Sequence, residues 1–221
     1  MGVIPERKRG RPSDEQLRAR RREDILAKAA EVFAQRGYPS TDMQALASAV
    51  GIAKGTLYLY FDSKEALFLA AVDQGMNALQ QFIDQAIAAI DDPLQRIVVA
   101  IGAYLRFFKE HPEQVELLVQ ERAEFRDRKR PSYFEHRDRR RSVWHELLRG
   151  LIAAGRFRDV PVQRIDDVLC DLVYGTMFTN HFTGRHKPLA DQVEDIIDIA
   201  FYGLLSSEER SRWTNSRRGE S

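Results

Sequence analysis

Lys54, Thr56, Tyr58 and Tyr60 stand at alternate positions just after a glycine turn. Amines and hydroxyls of this kind donate hydrogen bonds to phosphate oxygens and base edges, so the chemistry on offer is recognition of a nucleic acid rather than bond making. Leu57 and Phe61 lie four apart and can point inward, which leaves the polar set on outer faces or at the edge of a short helix. Another helix must come first. Met43, Leu46, Ala47 and Val50 recur at helical spacing and form one apolar face. Thr41 reads as its N-cap, with Gln44 three residues on completing a capping box. Gly51 supplies a turn at positive φ without steric cost, and Ala47 is small enough for the two helices to cross closely. Two short helices joined this tightly are the layout of a helix-turn-helix that reads DNA. Taken alone, the pattern is shared with ordinary amphipathic helix pairs around a glycine.

The longer run carries a resemblance. Val50-Gly51-Ile52-Ala53-Lys54-Gly55-Thr56-Leu57-Tyr58-Leu59-Tyr60-Phe61-Asp62-Ser63-Lys64-Glu65-Ala66-Leu67 resembles the DNA-binding segment of the TetR family of bacterial transcriptional regulators. That family's pattern is Ala-Gly-Val followed by Ser-x-Gly-Thr-Leu-Tyr-x-His-Phe-x-Ser-Lys-Glu-x-Leu. Here Ala53 replaces the usual Ser and Tyr60 the usual His. The loss of a hydroxyl at 53 removes a capping or phosphate contact, whereas Tyr60 retains a donor. Ile25, Leu26, Ala29, Val32, Phe33 and Gly37 are also similar to the family's first helix, so the resemblance covers about residues 20 to 70 in detail and only the architecture beyond. It implies that Thr41, Gln44, Lys54, Tyr58, Tyr60 and Lys64 hold the DNA backbone or its edge. Lys64 would be aided by the positive end of a helix starting near Ser63. Thr56, with Gly55 permitting close approach, is the candidate for direct base contact.

Charge is divided unevenly. Residues 1–64 hold 12 Lys/Arg against 8 Asp/Glu, whereas the remainder holds 22 against 25, so a total of +1 conceals a basic end. A basic end on a body with no reason to coat DNA is the footprint of a nucleic-acid site. Within it, Arg9-Gly10-Arg11-Pro12 resembles an AT-hook, whose extended arginines, here Arg9 and Arg11, enter a narrow A·T-rich minor groove. The alternative is a solvated basic tail, which still attracts phosphate without sequence preference. The single cysteine, Cys170, excludes an intramolecular disulfide and suits a cytoplasmic protein, where it reads as a small core residue. No apolar run approaches the length that spans a bilayer, and no export signal is seen.

The remainder reads as helix, punctuated by proline. Asp92-Pro93, His111-Pro112 and Val160-Pro161 look like helix starts with Pro at the first helical position, and Pro131 and Pro188 mark further breaks. The predicted spans are about 63–90, 93–109, 112–127, 132–154, 161–183 and 189–206. The expected fold is therefore all-α with about nine helices. We expect a basic flexible arm over 1–19, a three-helix helix-turn-helix domain over 20–66, a helical effector-binding and dimerisation domain over 67–206, and a polar tail over 207–221.

The last two long helices carry continuous apolar faces. By the family resemblance, Leu169, Leu172, Val173, Ile197, Phe201 and Leu204 form a four-helix interface with a twin, although part of each face must be intramolecular core. Two copies are needed physically, because one short reading helix makes few base contacts while a symmetric pair reads a palindrome. Tyr104, Phe107, Phe108, Phe125, Trp144, Tyr174 and Phe178 can line a mostly apolar pocket for a small hydrophobic effector, or can simply be core. Residues 122–141 hold nine basic and four acidic groups, readable as an attractor for an acidic effector or as a salt-bridged surface. His181 and His186 lack a convincing third ligand, so no metal is expected. No cofactor is implied. There is no Gly-x-Ser-x-Gly elbow, P-loop, dinucleotide-binding glycine motif, His-Glu-x-x-His or paired-cysteine knuckle to support an enzyme. The expectation is a ligand-responsive homodimeric repressor that binds a palindromic DNA operator and is released by a small molecule. The alternative is a DNA-bound architectural or protein-recruiting protein without an effector.

Overall fold

The computed structural model describes residues 14–202, and these are all-helical. Arg9, Arg11 and Leu204 lie outside the described residues, as do the polar tail and most of the basic arm. In order the helices are α1 (Asp14–Arg36), α2 (Met43–Val50), α3 (Lys54–Tyr58), α4 (Lys64–Ile87), α5 (Pro93–Glu110), α6 (Pro112–Glu124), α7 (Ser132–Ala153), α8 (Val162–Thr183) and α9 (Leu189–Tyr202). Their ends follow the chemistry of capping. Ser63 accepts the Ala66 N–H at 3.0 Å ahead of α4, and Asp92 accepts the Gln95 N–H at 2.9 Å ahead of α5, where Pro93 fills a position that needs no N–H. Pro161 differs from its expected role. It is the N-cap of α8 rather than its first residue, and it caps without a side-chain bond. α1 begins at Asp14, so helix replaces the last part of the arm expected over 1–19.

The chain forms two compact units. The first contains α1 to α3, α4 as far as Ala78, and Glu113–His136; the second contains Leu79–Pro112 and the chain from Arg137 onward. The first unit thus takes in the start of α4 and residues 113–136 as well as the short helices. Its core explains why. Phe33 of α1, Tyr38 of the following turn, Phe68 of α4 and Phe125, just after α6, form an aromatic cluster with ring centroids 5.0 to 5.9 Å apart. Gln120 of α6 also donates to the Phe33 carbonyl at 2.9 Å. Rings meeting edge to face add attraction beyond the area they bury.

A buried carboxylate stands in the last turn of α6. Glu121, only 2% exposed, accepts the Ser132 N–H at 3.0 Å and its hydroxyl at 2.8 Å, and pairs with Arg128 at 3.0 Å. It thereby ties the 125–131 loop to the first turn of α7. Next to it, His136 meets Asp73 of α4 at 2.5 Å.

In the second unit α5 is buried along Ile97, Ala100, Ile101, Tyr104, Leu105, Phe107 and Phe108. It packs against α8 and α9, where Val173, Met177 and Ile196 are buried, and Leu148 and Leu151 of α7 are buried in the same unit. Arg141 of α7 bonds Asp166 at 2.9 Å and Asp167 at 2.8 Å, Arg140 pairs with Asp84, and Arg156 pairs with Asp92 at 2.5 Å. Burial and the neighbouring Asp166 push the Cys170 thiol up to about 12, so it stays protonated and inert. No described helix is long and apolar enough to cross a membrane.

Removing the Glu121 carboxylate leaves the buried N–H and hydroxyl of Ser132 without their acceptor and strips Arg128 of the closer of its two carboxylate partners. Glu121→Ala is expected to cost roughly 3 to 5 kcal/mol, read from urea denaturation. A loss under 1 kcal/mol would show that the loop does not need this tie.

Candidate nucleic-acid interface

α2 is a short helix that depends on its ends. Its N-cap is Asp42, in extended conformation, whose carboxylate accepts the Ala45 N–H at 2.7 Å. Thr41 does not cap, contrary to the capping-box reading. It is 1% exposed and its hydroxyl donates to the Gly37 carbonyl at 2.8 Å, so it has no surface to offer a phosphate. The reason is that an aspartate one residue later carries a stronger, charged acceptor for the same orphan amides. Gln44 is exposed and reaches Ser48 at 3.5 Å instead of turning back to the cap.

At the other end Gly51 has φ 76°, and its N–H donates to Ser48 while the Ile52 N–H donates to the Ala47 carbonyl at 3.0 Å. This is a Schellman closure, in which a left-handed residue satisfies the last carbonyls and reverses the chain. Met43, Leu46 and Ala47 are buried, as the periodicity requires.

The turn delivers the chain into α3, five residues long, whose N-cap Ala53 makes no side-chain bond. Leu57 is fully buried and Phe61 nearly so. Around that anchor Lys54 and Gly55 are exposed, Thr56 and Tyr60 are half-buried, and Tyr58 is 44% exposed. The structure thus brings Lys54, Gly55, Thr56, Tyr58 and Tyr60 together on the outer side of one short helix and its exit.

Lys64 stands apart. Its amine donates to the Tyr38 carbonyl at 2.9 Å and lies 4.2 Å from the Tyr38 ring centre, so the fold already uses the charge expected to meet a phosphate. Burial, with the carboxylates of Glu65 and Glu124 nearby, raises the Tyr38 phenol above its ordinary value.

Three further residues join this surface. Leu59 is 73% exposed directly after the reading helix, where an apolar group suits a thymine methyl. Arg18 and Arg22 of α1 lie 5.8 Å and 5.1 Å from the ring centres of Tyr60 and Phe61. Their spacing of four puts both on one helical face, a signal visible in the sequence once α1 is extended back to Asp14.

The expected pocket aromatics are divided between the two units. Phe125 belongs to the first unit, against Tyr38 and Phe68, because α6 ends there. In the second unit Tyr104, Phe107 and Phe108 are buried in the core and Trp144 is half-buried, while Tyr174 and Phe178 meet each other at 4.8 Å on α8. Of the expected interface residues, Val173 is buried within the unit, whereas Leu169, Leu172, Ile197 and Phe201 are half-buried. Val168, Phe182, Ile199 and Tyr202 are the large apolar side chains exposed on α8 and α9.

Comparison with known proteins agrees with this geometry. Residues 25–71 match the family of bacterial regulatory proteins called tetR, and residues 90–176 match the tetracycline repressor-like C-terminal domain. The transcriptional repressor KstR2 of Mycobacterium tuberculosis is 32% identical over 162 residues, covering 70% of this chain and 74% of that protein. The transcriptional activator FasR of Mycolicibacterium smegmatis is 36% identical over 97 residues, and the match spans only 44% of either chain. The structure of FadR from Bacillus subtilis in complex with stearoyl-CoA superposes with a TM-score of 0.71 at 16% identity, over 83% of this chain and 99% of that one, a likeness of fold.

Asp42 gives the site a pH signature. The Ala45 N–H bond, chiefly, holds its carboxyl below the ordinary 3.8. Because the folded value is depressed, its support for α2 is present above the unfolded value and lost as pH falls through the folded one. Thermal melts should show that acid-side loss in the wild type and a smaller one in Asp42→Asn, whose amide caps without titrating; equal losses would assign it elsewhere. Leu57→Ala should destabilise the chain by about 2 to 5 kcal/mol in urea, and an unchanged midpoint would deny α3 its anchor. By the length of the family matches and the placement of the reading helix, the chain belongs to the tetR family of bacterial regulatory proteins: it is a DNA-binding transcription regulator and not an enzyme.

Proposed function

We propose that the chain is a homodimeric, ligand-responsive repressor that reads a palindromic operator in the cytoplasm. The observation that supports this most is the mounting of α3. Leu57 holds a five-residue helix by its inner side while Lys54, Tyr58 and Tyr60 are offered to phosphates and Thr56, beside Gly55, to a base edge. Gln44 lies exposed on α2 and adds a backbone contact. Buried Thr41 and engaged Lys64 position the reader rather than touch DNA. Arg9 and Arg11 extend the contacts into the adjoining minor groove. KstR2 is named a repressor and FadR holds an acyl thioester in its crystal, which favours repression relieved by a small molecule; FasR, named an activator, makes the direction a matter for a reporter assay.

Dimerisation supplies two readers with a fixed spacing, through the half-buried Leu169, Leu172, Ile197 and Phe201 together with the buried Val173; Leu204, expected to share this role, lies outside the described residues. α4 carries the response, since it leaves the reader at Lys64 and runs on without a break past Ala78 into the second unit. A coupling of roughly 1 to 3 kcal/mol between effector and operator changes affinity about 5- to 150-fold.

Gel shifts on the DNA upstream of the chain's own gene should show a salt-sensitive complex. Tyr58→Phe is expected to weaken binding to all sequences alike by about 1 kcal/mol, and Thr56→Val to change preference among operator variants by about 1 to 3 kcal/mol at one base pair. If neither substitution altered the shift at any salt concentration, α3 would not be the reading helix. In sedimentation, Leu172→Glu should yield monomers; a retained dimer would place the interface elsewhere.

A further inference from the structure

At one end of the second unit, α5, α8 and the turn leading into α9 enclose a cleft of about 420 Å³, within the range of small-ligand sites. Leu105, Phe108, Met177 and Leu189 give it an apolar lining, and Lys109 and Arg185 stand at its edge as exposed residues. No carboxylate lines it. Lys187 also lines the cleft but pairs with Asp195, whereas Lys109 and Arg185 have no acidic partner among the described residues. Two like charges facing one apolar hollow repel each other and gain from an anion between them.

The wall is built in advance. Gln192, buried on α9, donates to the Lys187 carbonyl at 2.8 Å and accepts the Asn180 amide of α8 at 2.8 Å, which fixes the turn against both helices. Gly184, at φ 58°, ends α8 so that Arg185 falls at the cleft. A preformed wall lowers the ordering cost of binding.

We propose that this cleft binds an amphipathic anion, an apolar chain held by Leu105, Phe108, Met177 and Leu189 with its carboxylate or phosphate head between Lys109 and Arg185. Most of the aromatics expected to line a pocket are absent from it, since Phe108 alone among them takes part. The cleft as the effector's port rests on the regulator reading above; the binding itself does not.

Calorimetry on the full chain without DNA separates the two, using octanoate, octyl phosphate and 1-octanol as probes. Octanoate or octyl phosphate should saturate a site, and their comparison tells which head is preferred. Octanol should bind about tenfold more weakly or worse. The double variant Lys109→Gln with Arg185→Gln, changed at exposed positions and checked by melting, should lose about tenfold in anion affinity with octanol unchanged. Higher salt should weaken the anions in the wild type alone. Octanol binding as well as either anion, anion affinity unaltered in the double variant, or no binding by any probe would each overturn the proposal. A chain that binds the anions but shifts no DNA would leave this site standing and sink the repressor reading.

Discussion

A helix of five residues has no stability of its own, because nucleating a turn costs more than so few hydrogen bonds return. Everything the reader does therefore hangs on the burial of Leu57. Fully removing such a side chain from water contributes about 1.5 to 3 kcal/mol, and here it also fixes the rotation of α3, so that the polar groups on either side of it have only one direction to face. The elements around it serve the same end. Gly51 reverses the chain in the shortest available space, Asp42 closes the orphan amides of α2, and Phe61 anchors the exit before Ser63 opens α4.

The reader is also wider than a helix-turn-helix. The rings of Phe33, Tyr38, Phe68 and Phe125 join two helices, the turn after α1 and the loop after α6, and the carboxylate of Glu121 holds that loop to α7. Tyr38 is the hinge point of this arrangement, since its ring enters the cluster while its carbonyl holds the Lys64 amine at the first residue of α4. The end of α6 and the start of α4 are thus joined through packed rings and a charged hydrogen bond. Densely packed contacts of this kind transmit displacement because they cannot deform gradually.

The arginine-rich stretch divides into two roles once it is folded. Arg128 compensates a buried carboxylate in the first unit, while Arg140 and Arg141 meet Asp84, Asp166 and Asp167 in the second. Most of the cations of that stretch with a defined partner thus neutralise acid from another helix. Lys109 and Arg185, outside the stretch, stand instead at the cleft of the second unit.

Periodicity and punctuation in the chain determined the helices, the turn at Gly51 and the inward set of Leu46, Ala47, Leu57 and Phe61, because local sterics and a single apolar face depend only on neighbours in sequence. The family motif between Val50 and Leu67 was legible for the same reason. Which of two adjacent residues caps a helix was not: Thr41 and Asp42 are both good caps, and the Gly37 carbonyl, four residues back in the turn, took the hydroxyl of Thr41. The fate of Lys64, the packing of Phe125 against Tyr38 and the gathering of Lys109 and Arg185 at one cleft involve partners 26 to 87 residues away or on separate helices. Only tertiary structure decided these, since a charge or a ring carries no mark of the distant group that will satisfy it.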